Sequence, residues 1–176
     1  MANREALREL QSRLAQRLAA ARTETPKQSW LAVECADVGL LLPLASAGEI
    51  FPLSVLTPVP HTEGWFLGVA NLRGNLHGVV DLAAFLGLRA PLALDALREQ
   101  SRIVAFNPAH GAHCAVLVDR LAGLRSTDQL SAEAEAPQDL RPGFAGTLWR
   151  DAAGRTWQEI DLSALARNRR FLAIAA

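Results

Sequence analysis

Apolar and polar positions follow two different periods along this chain. In residues 3–22, Leu7, Leu10, Leu14 and Leu18 recur at spacings of 3, 4 and 4 among charged residues. That spacing lines the leucines along one face of a helix. Ala15, Ala19 and Ala20 favour the same conformation, and Thr23-Glu24-Thr25-Pro26 ends it. Residues 1–25 therefore read as an amphipathic N-terminal helix. A narrow leucine seam serves equally for docking on its own domain or on a partner.

From Ser29 the period becomes strand-like, and residues 26–176 read as one β domain. Trp30–Ala36, Leu40–Leu44 and Glu49–Leu56 are three predicted strands, with Pro52 pushing part of the third toward an edge or a bulge. Thr57 to Gly64 is a loop. The central stretch is a hairpin, in which Gly68–Leu72 and Leu76–Val80 flank Arg73-Gly74-Asn75, with Gly74 and Asn75 tolerating positive φ. Asp81 closes the second strand where a helical turn, Leu82–Leu88, can begin. Residues 89–101 read as a connection. Arg102–Phe106, His113–Val118 and Leu121–Arg125 are further strands. Residues 126–143 read as loop. Phe144–Arg150 and Arg155–Leu162 form a hairpin across Asp151–Gly154, before a short helix from Asp161.

Nine or ten short strands, with turn signals every 8–12 residues, predict a mainly β barrel or sandwich with small helices. The chain also echoes itself. Val79-Val80-Asp81-Leu82 is matched by Val116-Leu117-Val118-Asp119 and by Glu159-Ile160-Asp161-Leu162, as two similar small barrels sharing one core would give. Each aspartate reads as a cap at a strand end, and no two of them are expected to meet.

Composition narrows the function classes. Half of the 176 residues are apolar and a fifth are charged, which suits a packed domain and not a disordered chain. Acidic and basic residues balance at 18 each, and aromatics do not interleave with the basic residues, so nucleic acid is not an expected partner. The longest apolar run, Val38 to Ala47, is 10 residues with Pro43 inside, about half of what a membrane-spanning helix needs. No N-terminal signal is expected either, because residues 1–22 are charged throughout. Cys35 and Cys114 sit singly in apolar runs and read as two buried thiols of a cytoplasmic protein, with a disulfide between them as the alternative.

No catalytic constellation stands out. There is no Gly-x-Ser-x-Gly, phosphate-binding glycine loop or His-Glu-x-x-His. His110, His113 and Cys114 come nearest to a metal cluster, but a third ligand would have to come from His77, His61 or Cys35, and structural zinc sites show paired ligands at both ends of the spacing. No metal and no cofactor is expected. What remains is a protein that works by its surface, with a lone arginine, Arg73, at the tip of an apolar hairpin.

That hairpin, Gly68-Val69-Ala70-Asn71-Leu72-Arg73-Gly74 followed by Val79-Val80-Asp81-Leu82, resembles the signature segment of CheW-like domains, the adaptors of bacterial chemosensory arrays. Gly48-Glu49-Ile50 resembles the family's Glu-Ile pair, Val59-Pro60 precedes the signature, and the likeness runs from about Ser29 to Leu165. Ile103–Phe106, Ala115–Asp119 and Leu121–Leu124 resemble the second barrel. The chain departs at His77-Gly78 and in second-half strands rich in Trp and Arg (Trp149, Arg150, Arg155, Trp157). With the added N-terminal helix, these features resemble the PilI-type branch that serves type IV pilus twitching motility.

The resemblance implies two five-stranded SH3-like barrels sharing a core and no catalysis. It implies a bridging role between a CheA-type histidine kinase, through that kinase's CheW-like regulatory domain, and the cytoplasmic tip of a methyl-accepting chemoreceptor. The protein would then be cytoplasmic, recruited to receptor arrays without inserting into the membrane. Carried over by position, Arg73, Asn71, Leu72, Gly74 and Glu49 are the partner-binding residues, and Gly68 and Asp81 support the turn. The alternatives are a CheW-like binding module with a different output, and a small-molecule or metal-binding domain.

Overall fold

The computed structural model describes residues 28–133 and 141–176, so the helix expected over residues 1–25 lies outside the described residues. Among the described residues, eleven strands fall into two sheets. In chain order they are β1 (Ser29–Cys35), β2 (Val38–Pro43), β3 (Ala47–Pro52), β4 (Phe66–Leu72), β5 (Asn75–Asp81), β6 (Arg102–Phe106), β7 (Cys114–Val118), β8 (Arg120–Ser126), β9 (Leu130–Ala132), β10 (Ala145–Asp151) and β11 (Thr156–Ile160). Among the described residues the α-helices are single turns: α1 (Leu82–Phe85), α2 (Leu162–Leu165) and α3 (Arg169–Leu172).

The fold is mainly β, and the two sheets form SH3-like barrels. One sheet runs β8-β1-β2-β11-β10-β9, and the other β3-β6-β7-β5-β4. The first therefore carries six strands, because Leu130–Ala132 forms a strand inside the segment expected to be loop. Only Leu130 of these three residues is buried, which leaves almost no apolar pattern to read. The barrels are also not the two halves of the sequence. The five-stranded one is continuous from β3 to β7, while the other joins β1 and β2 to β8–β11 through the parallel pair β2/β11. Leu121–Leu124, expected in the second barrel, instead pairs with β1 in the first. Asp119 alone separates β7 from β8, so the chain changes sheets at that residue.

Strand alternation produces three buried clusters. Leu31, Val33, Cys35, Leu40 and Leu42 of one sheet meet Val80, Val104, Phe106, Val116 and Val118 of the other, and Phe85, Leu162 and Phe171 seal this layer. Leu67, Leu72, Val79, Ile103, Ala105, Ala115 and Leu117 fill the five-stranded barrel. Trp30, Ala32, Leu41, Leu130 and Trp157 fill the six-stranded one. Buried tryptophans need acceptors for their ring N–H groups. The Trp30 and Trp149 Nε1–H groups donate to Glu159 at 3.1 and 3.2 Å, and Trp157 Nε1–H donates to Asp151 at 2.9 Å. Trp30 and Trp157 are thus core side chains, and Trp149 is half-buried against them.

Cys35 is buried, Cys114 is half-buried, and both are free thiols. Burial pushes the Cys35 thiol up to about 12 and raises that of Cys114. No helix among the described residues is long and apolar enough to cross a membrane.

Gly68 is not part of a turn. It sits inside β4 at a register shift, with φ +119°, where the Thr57 backbone crosses and bonds both ways with Val69 at 2.8 and 2.9 Å. A Cβ at position 68 would lie 2.1 Å from the Thr57 carbonyl oxygen. Gly68→Ala should therefore cost ~2–4 kcal/mol, combining positive φ with a backbone clash. Chemical denaturation checks this, and a loss below ~1 kcal/mol would mean that the crossing is not rigid.

Glu34 of β1 is buried and pairs with Arg120 and with Arg155 (2.6 Å). Burial alone would raise its pKa, but the two guanidiniums outweigh burial and hold it below the ordinary glutamate value. The pairing thus stabilises the fold fully above that ordinary value, and the contribution is lost as pH falls through the lower, native-state pKa. Glu34→Gln should lower stability at neutral pH and reduce its decline between pH ~5 and ~3. Melts across that range test the sign, and parallel curves for both proteins would refute it.

Candidate interaction surface

The β4–β5 hairpin closes on a two-residue turn, Arg73-Gly74, with Leu72 facing Asn75 in register. Both turn residues have positive φ, +50° at Arg73 and +86° at Gly74. This is the primed-turn geometry that matches strand twist. It corrects the expected three-residue turn: Asn75 is the first residue of β5, and the left-handed position falls on Arg73. Asn71 Oδ1 accepts from the Gly74 backbone N–H at 2.7 Å and supports the turn from the strand before it.

Arg73 extends from this tip to Glu49, its Nη1–H group donating to Oε1 at 2.7 Å. Glu49 lies on β3, one edge of the five-stranded sheet, and the hairpin supplies the other edge. The backbone bridge Thr57–Val69 brings these edges together and closes the barrel. Two residues 24 positions apart in sequence thereby become one surface feature. Their side chains remain 74% and 51% exposed, so the pair itself adds well under 1 kcal/mol. Leu76 is 64% exposed opposite Asn71, and Ile50 beside Glu49 is 42% exposed. Leu72 points the other way. It is buried in the barrel and holds the hairpin from inside.

Asp81 supports a different element from the turn. It is fully buried at the N-cap of α1, accepting from Ala84 N–H at 3.3 Å. Arg89 then joins it to Asp119: Nη2 donates to both Asp81 oxygens at 2.9 Å, and Nη1 to both Asp119 oxygens at 2.7 and 2.6 Å. Asp119 also accepts from Ala36 N–H of the β1–β2 turn at 2.7 Å. Two echoed aspartates thus do meet, through one planar fork that ties both sheets and α1 together. Burial alone would lower the Arg89 pKa, but the Asp119 and Asp81 carboxylates raise it. Only Asp161 of the three is simply a cap, accepting from Ser163 and Ala164 N–H at 2.8 and 3.1 Å. Arg89 was illegible because it lies in a segment with no apolar period.

The arrangement is built on two barrels joined through Arg89. It is a rigid two-barrel frame that presents a polar hairpin tip beside exposed aliphatic side chains, and this defines a β-barrel scaffold domain. Residues 29–170 match the family model described as CheW-like domain. The chain belongs to the CheW-like domain family, the scaffold and adaptor domains of chemosensory systems. It is 28% identical to Protein PilI of Pseudomonas aeruginosa over 153 residues, covering 84% of this chain and 82% of that protein. It is 33% identical to Protein FrzA of Myxococcus xanthus over 61 residues, 35% of this chain and 38% of that one. Among solved structures, the scaffolding protein TtCheW from Thermoanaerobacter tengcongensis superposes with a TM-score of 0.64 at 17% identity, covering 80% of this chain and 88% of that one.

Removing Arg89 would leave Asp81 buried without its cation. Arg89→Leu should cost ~3–5 kcal/mol, the range for a broken buried pair. Arg89→Leu/Asp81→Asn should recover part of that loss. Urea titration reads both, and a loss from Arg89→Leu no larger than that of a surface pair would show that the clamp is not structural.

Proposed function

We propose that this protein is a non-enzymatic adaptor that couples a methyl-accepting chemoreceptor to a CheA-type histidine kinase. Its setting is a cytoplasmic chemosensory array controlling type IV pilus twitching motility. One observation carries the reading: Arg73 and Glu49 are brought together and left exposed on opposite edges of one barrel. A guanidinium whose intramolecular partner contributes little can exchange it for a carboxylate or backbone carbonyl of another protein, since its fork makes several bonds at once. Leu76 and Ile50 supply apolar area beside it, as the core of a protein interface requires. The relative that spans most of both chains, PilI, supports the pilus setting. In this reading the kinase contributes its own CheW-like regulatory domain and the receptor its cytoplasmic tip, and Asn71 and Gly74 act by holding Arg73 in place.

The test separates binding from folding. Arg73→Asn keeps a residue that tolerates positive φ, so the melting temperature should hold or rise. Binding to the kinase regulatory domain or to the receptor tip should weaken by ~1–3 kcal/mol, as for an interface hot spot. Calorimetry with both purified partners measures this. Normal binding by Arg73→Asn would reduce Arg73 to a turn residue, and no binding by the folded parent protein to either partner would remove the adaptor reading.

A further inference from the structure

Of the histidines noted in the sequence, His110 is taken up by Ser163, whose hydroxyl lies 3.1 Å from Nδ1. His77 and His113 are instead brought together, their ring centres 5.7 Å apart at 74°. We propose that this pair is a surface site for a borderline divalent transition metal, with Zn2+ as the representative ion. The proposal is independent of the adaptor reading.

The backbone presets the pair. β5 and β7 run parallel from the register Gly78–Cys114, and the Gly78 N–H donates to the His113 carbonyl at 3.0 Å. The two histidines immediately precede the first paired residues of adjacent strands, so their separation is held by the sheet. The side chain of His77 is preset as well. Its Nδ1 lies 3.1 Å from the Asn75 carbonyl oxygen. A carbonyl can only accept, so this bond uses an Nδ1 proton, and Nε2 is the ring nitrogen left to ligate in the neutral imidazole. An N–H from one ring nitrogen to a backbone carbonyl is how metal-ligating histidines are usually oriented.

The spacing also fits. Zinc–nitrogen bonds of about 2.0–2.1 Å put the ion roughly 3 Å from each ring centre, so a shared tetrahedral ion needs ring centres about 5–6 Å apart. His113 is exposed, so the ion can enter without opening the fold. No group of three or more His, Cys, Asp or Glu side chains assembles among the described residues, so water completes the coordination and the ion exchanges readily. Half of a structural zinc ligand set implies a dissociation constant on the order of 10–100 µM. A bound ion would cross-link β5 to the residue just before β7.

The experiment is a titration of the untagged full chain with Zn2+, followed by calorimetry and by the histidine imidazole signals in NMR. One ion should bind, the His77 and His113 signals should shift, and saturating Zn2+ should raise the melting temperature by a few degrees. His77→Gln and His113→Gln should each weaken affinity at least tenfold, while His110→Gln leaves it unchanged. Apo melting temperatures of the variants confirm that they are folded. Undiminished affinity in either His77→Gln or His113→Gln, shifts confined to His61 and His110, or no binding up to ~1 mM Zn2+ would each overturn the site.

Discussion

Two carboxylates cannot sit together at the buried junction of two sheets without a cation between them, and Arg89 is that cation. Asp81 is fully buried and ends β5; Asp119 stands where the chain leaves one sheet for the other. A lysine could neutralise them, but a guanidinium bonds both carboxylates at once, each through a different nitrogen. Because Asp119 also accepts from the β1–β2 turn and Asp81 caps α1, one side chain sets how both sheets and the inter-barrel helix meet.

The topology explains why that junction must be rigid. The six-stranded barrel is assembled from both ends of the described chain, so its closing strands rejoin β2 only after the other barrel has been completed. The layer of Leu, Val and Phe between the sheets supplies the non-directional part of the attraction. Apolar packing alone does not fix the relative position of the two sheets. Directional bonds at Arg89 do, while those at Glu34 tie β1 to β8 and to the β10–β11 turn within the six-stranded sheet.

Much of this was legible in the sequence. Alternating apolar residues located ten of the eleven strands, and the resemblance of the hairpin predicted the paired barrels. Glu49 and Arg73 were singled out separately, and their contact could not be read because it depends on how the edges of the sheet close through Thr57 and Val69. Strand β9 has too few apolar residues to register, and the resemblance placed Leu121–Leu124 with Ile103–Phe106 and Ala115–Asp119, although the chain changes sheets at Asp119. Gly68 looked like turn chemistry; its role is a backbone crossing, which sequence does not announce. The same holds for His77 and His113, which are 36 positions apart by number and adjacent only in the parallel sheet.

The conformation of Arg73 carries the argument about that surface furthest. A residue with a Cβ at φ +50° costs the free chain about 1 kcal/mol relative to glycine. The exposed pair with Glu49 returns less than that. Asparagine or glycine at this turn would make the isolated hairpin more stable, as primed turns prefer. The stability of the free protein therefore does not account for an arginine at this tip. Strained positions of this kind concentrate where a side chain must be presented for function, and under the adaptor proposal the guanidinium held outward at the edge of the barrel would serve contacts made outside the chain.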